Sequence, residues 1–199
     1  NYEFKAEINK AGVKKSSIVN IYFDSSIKKG WPKEDRVVGE GFFAWSFLNQ
    51  PIISDIDGDG KNDIVSAYGT IVDVFSASGN SISGWPVEIK TTLIQYGPAV
   101  GDLNNDGNLE IVLGDNSGYI HILKKNGDYF LPPEQFGTVT GTLTLADMNN
   151  DGSLEIIWSD WSNNLYVVDN NLDVLKNFPR YLEPAEGHPY KATSDGSVS

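Results

Sequence analysis

Apolar and polar residues alternate in short segments along most of the chain, and turns rich in Gly, Asn and Asp separate these segments. Clear examples are the pentapeptides Ile71–Phe75, Tyr119–Leu123 and Leu165–Asp169. Alternation with a period of two predicts β-strands that bury one face. The helical spacing of three to four residues is not sustained over ten residues anywhere, so the pattern predicts an all-β fold.

The strand-like segments recur at a nearly constant interval. Asp102 lies 47 residues after Asp55, and Asp147 lies 45 residues after Asp102. A short apolar segment precedes each of these aspartates, and a β-branched pair follows each of them nine residues later. Short strands on a period of about 45 residues are typical of a propeller blade. The sequence therefore predicts a β-propeller of about four four-stranded blades, as a closed four-bladed ring or as part of a larger propeller.

The repeat divides a single predicted domain, residues 1–199, into blades. Residues 51–97, 98–142 and 143–189 each supply a complete blade with an acidic loop. Residues 1–50 supply a partial blade, because Val19–Phe23 resembles the alternating strand and no first strand is recognised before it. The Gly-Trp-Pro sequence at 30–32 repeats the one at 84–86.

The C-terminal segment, residues 190–199, resembles the first strand of a further blade. Aligning Asp195-Gly196 with Asp151-Gly152 places a fourth loop start at Lys191. We expect this segment either to complete the partial blade at residues 1–50 or to pair with a neighbouring copy. Pairing between copies would give head-to-tail assembly. Because Lys191 stands where an aspartate is needed, we expect no cation in the fourth loop.

Oxygen-bearing side chains occupy the same positions in the three acidic loops. Positions 1, 3 and 5 carry Asp or Asn, position 6 is Gly, and position 9 is Asp or Glu. Such oxygens, with a backbone carbonyl at position 7, suit the six to eight ligands that Ca²⁺ prefers. The EF-hand alternative requires Glu at position 12, where this chain has Ser66, Leu113 and Trp158. Mg²⁺ demands a stricter octahedron, and zinc or copper would call for His or Cys.

The pattern Asp-x-Asp-x-Asp-Gly-x-x-Asp/Glu followed by Ile-Val resembles the loops of the FG-GAP/VCBS repeats, which occur in integrin-α-type propellers. The resemblance implies one Ca²⁺ in each loop between the first two strands of a blade, three ions in all. The implied ligands, with position 7 acting through its carbonyl, are Asp55, Asp57, Asp59, Lys61 and Asp63; Asp102, Asn104, Asp106, Asn108 and Glu110; and Asp147, Asn149, Asp151, Ser153 and Glu155. The first loop, which has four carboxylates, is expected to bind best or to depend most on its ion.

Charge and composition narrow the classes of function. The chain has 27 acidic and 15 basic residues, for a formal charge of −12, and ten of the acids lie in the three loops. Such a surface repels phosphate backbones, so we expect no nucleic-acid partner. No apolar run approaches the length of a membrane helix, and cysteine is absent. The chain begins at Asn1, and we expect a mature or excised product.

Few residues offer catalytic chemistry. His121 lies in the middle of a predicted strand and His188 in a Gly-His-Pro segment, and no serine has the setting of a nucleophile elbow. We therefore expect no enzyme. Trp31 and Trp85 recur before proline and are interpreted as packing residues. Trp158 and Trp161 flank Asp160 and offer two interpretations, a core role or stacking on a sugar ring.

These observations favour a secreted or cell-surface module in which calcium is structural and the function is adhesion or assembly. The expected partner is a protein or glycan at the cell surface, or another copy of the chain in a head-to-tail assembly, without membrane insertion. The alternative is a carbohydrate-binding, lectin-like propeller or the non-catalytic part of a polysaccharide-degrading enzyme.

Overall fold

The computed structural model describes the backbone of residues 2–10 and 13–21, and both backbone and side chains of residues 49–90, 93–94 and 96–183. Two compact units are formed, Asn1–Val38 and Gly39–Ser199. Several predicted features lie outside the described residues: the Gly-Trp-Pro sequence at 30–32, His188, and the segment 190–199 with the fourth loop start at Lys191.

The first unit contains a two-stranded antiparallel hairpin, β1 (Tyr2–Lys10) and β2 (Val13–Ile21). The end of β2 overlaps the predicted strand Val19–Phe23. No first strand of a blade was recognised before it. A strand, β1, does precede β2 and pairs along its whole length, with Phe4 opposite Val19. The signal for β1 was available in the alternation of Tyr2, Phe4, Ala6 and Ile8 with polar residues. Whether residues 1–50 belong to a blade stays a prediction.

The second unit contains three sheets, each of four consecutive antiparallel strands. The described residues contain no helix, and thus none long and apolar enough to cross a membrane. The all-β prediction and the three four-stranded units are confirmed. The strands are β3 (Ile52–Ser54), β4 (Asp63–Tyr68), β5 (Ile71–Phe75) and β6 (Val87–Glu88); β7 (Ala99–Gly101), β8 (Glu110–Gly114), β9 (Tyr119–Leu123) and β10 (Tyr129–Gln135); and β11 (Thr144–Ala146), β12 (Glu155–Ser159), β13 (Asn164–Val168) and β14 (Arg180–Tyr181).

Adjacent sheets pack face to face. One core cluster joins β4 and β5 of the first sheet, through residues such as Val65 and Val74, to Ile111 and Leu113 of the second. The other core cluster joins Val112 of the second sheet to the third sheet. All five residues of β8 are buried, because the middle sheet is covered on both faces. A strand covered on both faces is apolar without alternation, which explains the run Ile-Val-Leu at 111–113.

The first strands of the three sheets lie next to one another, since β7 contacts both β3 and β11. The fourth strands lie at the opposite edges, and β10 carries Pro132 and Pro133 within an irregularity of its pairing with β9, between Leu131 and Glu134. Proline lacks the N–H that a ladder requires, and an edge strand tolerates it because no further strand pairs there. Because the first strands are neighbours, the loops that leave them are brought to related positions in all three sheets.

Candidate metal centre

Each acidic loop connects the first strand of its sheet to the second. The loop at 55–63 joins β3 to β4, the loop at 102–110 joins β7 to β8, and the loop at 147–155 joins β11 to β12. Position 9 is in every case the first residue of the second strand. The loops therefore end on side chains whose direction is set by a buried strand.

The carboxylate at position 1 organises each loop through backbone N–H groups. In the second loop, Asp102 Oδ1 accepts from the N–H of Asp106 at 3.0 Å, and Oδ2 accepts from the N–H of Gly107 at 2.8 Å. Asp55 and Asp147 make the corresponding bonds to positions 5 and 6 of their own loops. The polar oxygens thus share one arrangement in three copies.

Positions 3 and 5 continue the same arrangement. The oxygen at position 3 accepts from the N–H of position 5, and the carboxylate at position 5 accepts from the N–H of position 7. The backbone φ is positive at positions 4 and 6 of every loop. Glycine at position 6 was recognised in the sequence, but the left-handed residue at position 4, which is Gly58, Asn105 or Asn150, was missed. Asn tolerates this conformation better than most residues, which was the available signal.

The position-9 carboxylates, those of Asp63, Glu110 and Glu155, lie beneath the loops. These residues are 3%, 2% and 1% exposed. In each case one carboxylate oxygen accepts from the N–H of position 2, at 3.1 Å from Ile56, 3.0 Å from Leu103 and 2.6 Å from Met148. The bond closes the loop through one carboxylate oxygen. In the third loop the second oxygen, Oε1 of Glu155, accepts from Asn149.

Burial is unfavourable for these carboxylates in their charged form. It raises the pKa of Asp63, and the negative charges of Asp57 and Asp59 raise it further. It likewise raises the pKa of Glu110, with contributions from Asp106 and Asp102. A buried carboxylate surrounded by others is stabilised by a cation placed among them.

The first loop brings three carboxylates together. One oxygen each from Asp55, Asp57 and Asp63 lie within 4.8 Å of one another, a group that can hold a metal ion. The remaining carboxylate, Asp59, accepts from the ammonium of Lys61 at 2.8 Å, and this bond lowers the pKa of Asp59. Lys61 is therefore a counter-ion within the loop, although its predicted role was through its carbonyl.

The second and third loops differ from the first at position 3, where an amide replaces a carboxylate. Asn104 Nδ2 donates to Asp106 Oδ2 at 3.1 Å, and Asn149 Nδ2 donates to Asp151 Oδ2 at 2.9 Å. Asn149 also donates to Glu155 Oε1 at 3.0 Å. Because an amide is neutral, each of these loops carries one negative charge fewer than the first. Oδ1 of each amide accepts from the N–H of position 5. The donor sets of all three loops consist of oxygen, which fits a hard cation.

The sequence of the loops also matches a known family. The model of the FG-GAP-like repeat matches residues 55–113 and 102–158, which together extend over more than half of the 199 residues. The chain belongs to the FG-GAP-like repeat family. Both matched segments begin at position 1 of a loop and continue into the next sheet, so the repeat of the family is the repeat of this structure. No curated protein sequence matches the chain.

Two solved structures resemble this FG-GAP-like repeat protein. One is the biofilm matrix protein Bap1 of V. cholerae, at 24% identity and a TM-score of 0.43, with 62% of this chain and 24% of that chain covered. The other is BBS1N in its complex with ARL6DN, at 16% identity and a TM-score of 0.50, with 68% of this chain and 41% of that chain covered. At these identities the likeness concerns the fold alone. The chain spans less than half of either structure.

Of the three tryptophans that the structure describes, two are buried and one is exposed. In this FG-GAP-like repeat protein, Trp158 is 4% exposed and stacks on Tyr166, with ring centroids 4.9 Å apart. The core interpretation of Trp158 is therefore confirmed, whereas Trp161 is 75% exposed. Trp85 is buried, as its packing role predicts. A sugar-stacking pair formed by Trp158 and Trp161 is incompatible with this burial.

Two aspartates outside the acidic loops, Asp115 and Asp160, stabilise turns between strands. Asp115 and Asp160 follow the second strands of their sheets, and each accepts two backbone N–H bonds within the turn that leads to the third strand. Asp115 Oδ2 also lies 3.0 Å from Nε2 of His121, and both side chains are fully buried. The mid-strand His121 thus has hydrogen-bonding partners within its own sheet. The turn pattern Asp-x-Ser in two repeats was the available signal.

Proposed function

We propose that the chain is a calcium-binding structural module whose three sheets are blades of a β-propeller. The observation that carries the proposal is the threefold repetition of one loop, in which positions 1, 3 and 5 carry oxygen-bearing side chains and position 9 carries a buried carboxylate. In the first loop, oxygens of Asp55, Asp57 and Asp63 lie within 4.8 Å of one another. Each ion would neutralise a carboxylate cluster and fix the connection between the first two strands of a blade.

The face-to-face packing of consecutive sheets and the adjacency of β3, β7 and β11 support the propeller arrangement. In a propeller the first strands line the centre and each sheet covers its neighbours. We propose blade boundaries at residues 51–97, 98–142 and 143–189, and we leave open a closed four-bladed ring, a larger propeller and head-to-tail assembly between copies.

We propose a role in adhesion or assembly outside the cell, with no enzymatic activity. Membership in the FG-GAP-like repeat family supports a scaffold of this kind. The partner would be a protein or glycan at the cell surface, or a second copy of the chain. Acidic charge of −12 disfavours nucleic acid as the partner.

Calcium titration of the whole chain tests the proposal. We expect three sites by isothermal titration calorimetry and a melting temperature several degrees lower in EDTA than in excess Ca²⁺, since a ligand that binds only the folded state stabilises it. A melt that is unchanged by EDTA, together with no heat of calcium binding, would contradict the proposal. Mg²⁺ at the same concentration is the control for cation specificity.

A further inference from the structure

The second and third loops form a natural comparison within one chain. Both have the sequence Asp-x-Asn-Asn-Asp-Gly-x-Leu-Glu, so they carry the same carboxylates and the same amide at position 3. They differ at position 2, which is Leu103 or Met148, and at position 7, which is Asn108 or Ser153. A difference in cation affinity between them must therefore arise mainly from their surroundings.

The surroundings differ in the turn between the third and fourth strands of the sheet. In the second sheet the turn begins Lys124-Lys125-Asn126, and the N–H of Lys124 donates to the carbonyl of Asp128. The equivalent turn in the third sheet begins Asp169-Asn170-Asn171, and the N–H of Asp169 donates to the carbonyl of Asp173. The positively charged Lys124 and Lys125 of the second sheet therefore correspond to the negatively charged Asp169 and the neutral Asn170 of the third.

The two lysines are held beside the second loop. Lys125 Nζ donates to Oδ1 of Asn108 at 2.8 Å. Lys124 and Lys125 line a pocket of about 220 Å³ whose other side is formed by Asp106, Asn108 and Glu110 of the loop. The pKa of Asp106 is lowered first by the N–H and amides of its neighbours in the loop, and the Lys125 charge adds to the effect. The lysines are thus close enough to act electrostatically on two predicted calcium ligands, Asp106 and Glu110.

The backbone of this turn is fixed by the neighbouring sheet. Trp85 Nε1 donates to the carbonyl of Lys125 at 2.9 Å. Gly84 approaches the turn so closely that a Cβ there would lie 2.1 Å from the carbonyl oxygen of Asn126. Because these contacts involve only the main chain of the turn, the lysine side chains can be replaced without disturbing them.

We propose that Lys124 and Lys125 make the second loop the low-affinity member of the set, so that its ion is released while the third loop stays occupied. The formal charge of the three carboxylates and two lysines around the second loop is −1, against −3 for the three carboxylates of the third. The inference rests on the proposed calcium binding and adds to it an order of affinities, in which the second loop binds Ca²⁺ more weakly than the third. The sheet affected is the middle one, which packs against both of its neighbours.

The expected size of the effect follows from Coulomb's law. A lysine roughly 7 Å from a divalent ion in water at about 0.1 M salt weakens binding a few-fold, so two lysines together give about tenfold. Added salt weakens the attraction between Ca²⁺ and the third loop, with its charge of −3, more than the attraction between Ca²⁺ and the second loop, with its charge of −1. The difference between the loops should therefore narrow as salt is added.

The glycine amides at position 6 give one reporter for each loop, because each donates to the position-1 carboxylate. In a calcium titration of the full chain followed by ¹H–¹⁵N NMR, we expect the midpoint for Gly107 at about tenfold higher calcium than that for Gly152. Lys124→Met/Lys125→Met should bring the two midpoints to within about twofold. The reciprocal change Asn170→Lys should raise the midpoint for Gly152 a few-fold.

Lys176→Met, which removes an exposed lysine of the third sheet outside the pocket, is the control and should leave both midpoints in place. Equal midpoints in the unaltered chain, or a gap that persists after both lysines are replaced, would overturn the hierarchy while calcium binding itself stands. If none of the three glycine signals responds to calcium, the proposed function fails instead.

Discussion

The carboxylate of Asp63 accepts a hydrogen bond from the N–H of Ile56, at 3.1 Å, across the full length of the first acidic loop. Both residues are buried. The bond closes the loop, and an oxygen of the same carboxylate lies within 4.8 Å of oxygens of Asp55 and Asp57. The same carboxylate therefore has a structural role without a cation and a predicted ligand role with one, and these roles can be separated by mutation.

Asp63→Asn should separate them. The asparagine keeps an oxygen that can accept from Ile56 and removes a buried negative charge near Asp57 and Asp59, so we expect no loss of stability in EDTA. In calcium at about 100 times the dissociation constant, the variant should lack the roughly 2.7 kcal/mol that the first ion contributes. Urea denaturation in calcium and in EDTA measures both quantities.

Asp173→Asn is the matched control, because Asp173 is exposed and lies outside the acidic loops. It should leave the calcium-dependent part of the stability unchanged. A large destabilisation by Asp63→Asn in EDTA would show that the charge of Asp63 is required for the fold itself, contrary to the expectation.

The raised pKa values of Asp63 and Glu110 predict an unusual pH dependence without calcium. A carboxyl whose pKa is higher in the folded than in the unfolded state binds a proton more tightly when folded. Its contribution is complete below the unfolded pKa and is lost as the pH rises through the folded pKa. In EDTA, these two groups should therefore increase the free energy of unfolding as the pH falls from 7 to about 5.

Asp59, Asp106 and Asp151 have lowered pKa values, and their contributions have the opposite sign. The stability that these three carboxylates contribute is lost only as the pH falls through their lowered pKa values, which lie below those of ordinary carboxyl groups. The measurement is urea denaturation at pH 7 and pH 5, compared with the double variant Asp63→Asn/Glu110→Gln. If the two proteins show the same pH dependence in EDTA, the assignment to these carboxyls is wrong.

Much of the site could be predicted because the loops are local. The oxygens of positions 1, 3, 5 and 9 lie within nine consecutive residues, and their hydrogen bonds connect residues two to seven positions apart. The strands on either side follow from the same repeat. By contrast, Lys61 was predicted only as a carbonyl ligand, because sequence spacing does not reveal the direction of a flexible side chain.

Contacts between sheets were beyond the reach of the repeat pattern. The bond from Trp85 to the carbonyl of Lys125 joins residues 40 positions apart and depends on how two sheets pack. The burial of Trp158 likewise depends on Phe136, which follows the last strand of the second sheet and whose ring lies edge-on to Trp158. Such contacts follow from tertiary packing, which a period of about 45 residues does not specify.

Position 6 of the loops allows a test of backbone strain. Gly107 has φ of 86°, and a Cβ there would meet no atom within 4 Å. Gly107→Ala should therefore destabilise the protein by about 1 kcal/mol through conformational strain alone, without a steric clash. Gly141→Ala is the control, because a Cβ at Gly141 also meets nothing and its φ lies outside the left-handed region.

The comparison is made by urea denaturation of both variants in EDTA. Gly141→Ala should be neutral or slightly stabilising, since alanine reduces the entropy of the unfolded chain. Equal effects of the two substitutions would argue against the left-handed conformation at position 6. A further loss of calcium affinity in Gly107→Ala alone would connect that conformation to the predicted metal site.

The buried pair formed by His121 and Asp115 predicts a large loss of stability on mutation. Asp115 Oδ2 accepts from Nε2 of His121, so Nδ1 faces the hydroxyl of Tyr129 at 3.2 Å. His121→Leu removes a donor from a fully buried carboxylate, and we expect a loss of about 3 kcal/mol in the free energy of unfolding. Tyr129→Phe removes only the hydroxyl of a residue that is 38% exposed and should cost about 1 kcal/mol or less.

A double-mutant cycle of His121→Leu and Asp115→Asn identifies the interaction itself. Asp115 also accepts from the N–H groups of Ser117 and Tyr119, and asparagine retains an acceptor for that turn. If the pair is a coupled unit, the double variant should be clearly more stable than the sum of the single losses predicts. Additive losses would mean that His121 stabilises the middle sheet by packing alone, and that its contact with Asp115 contributes nothing measurable.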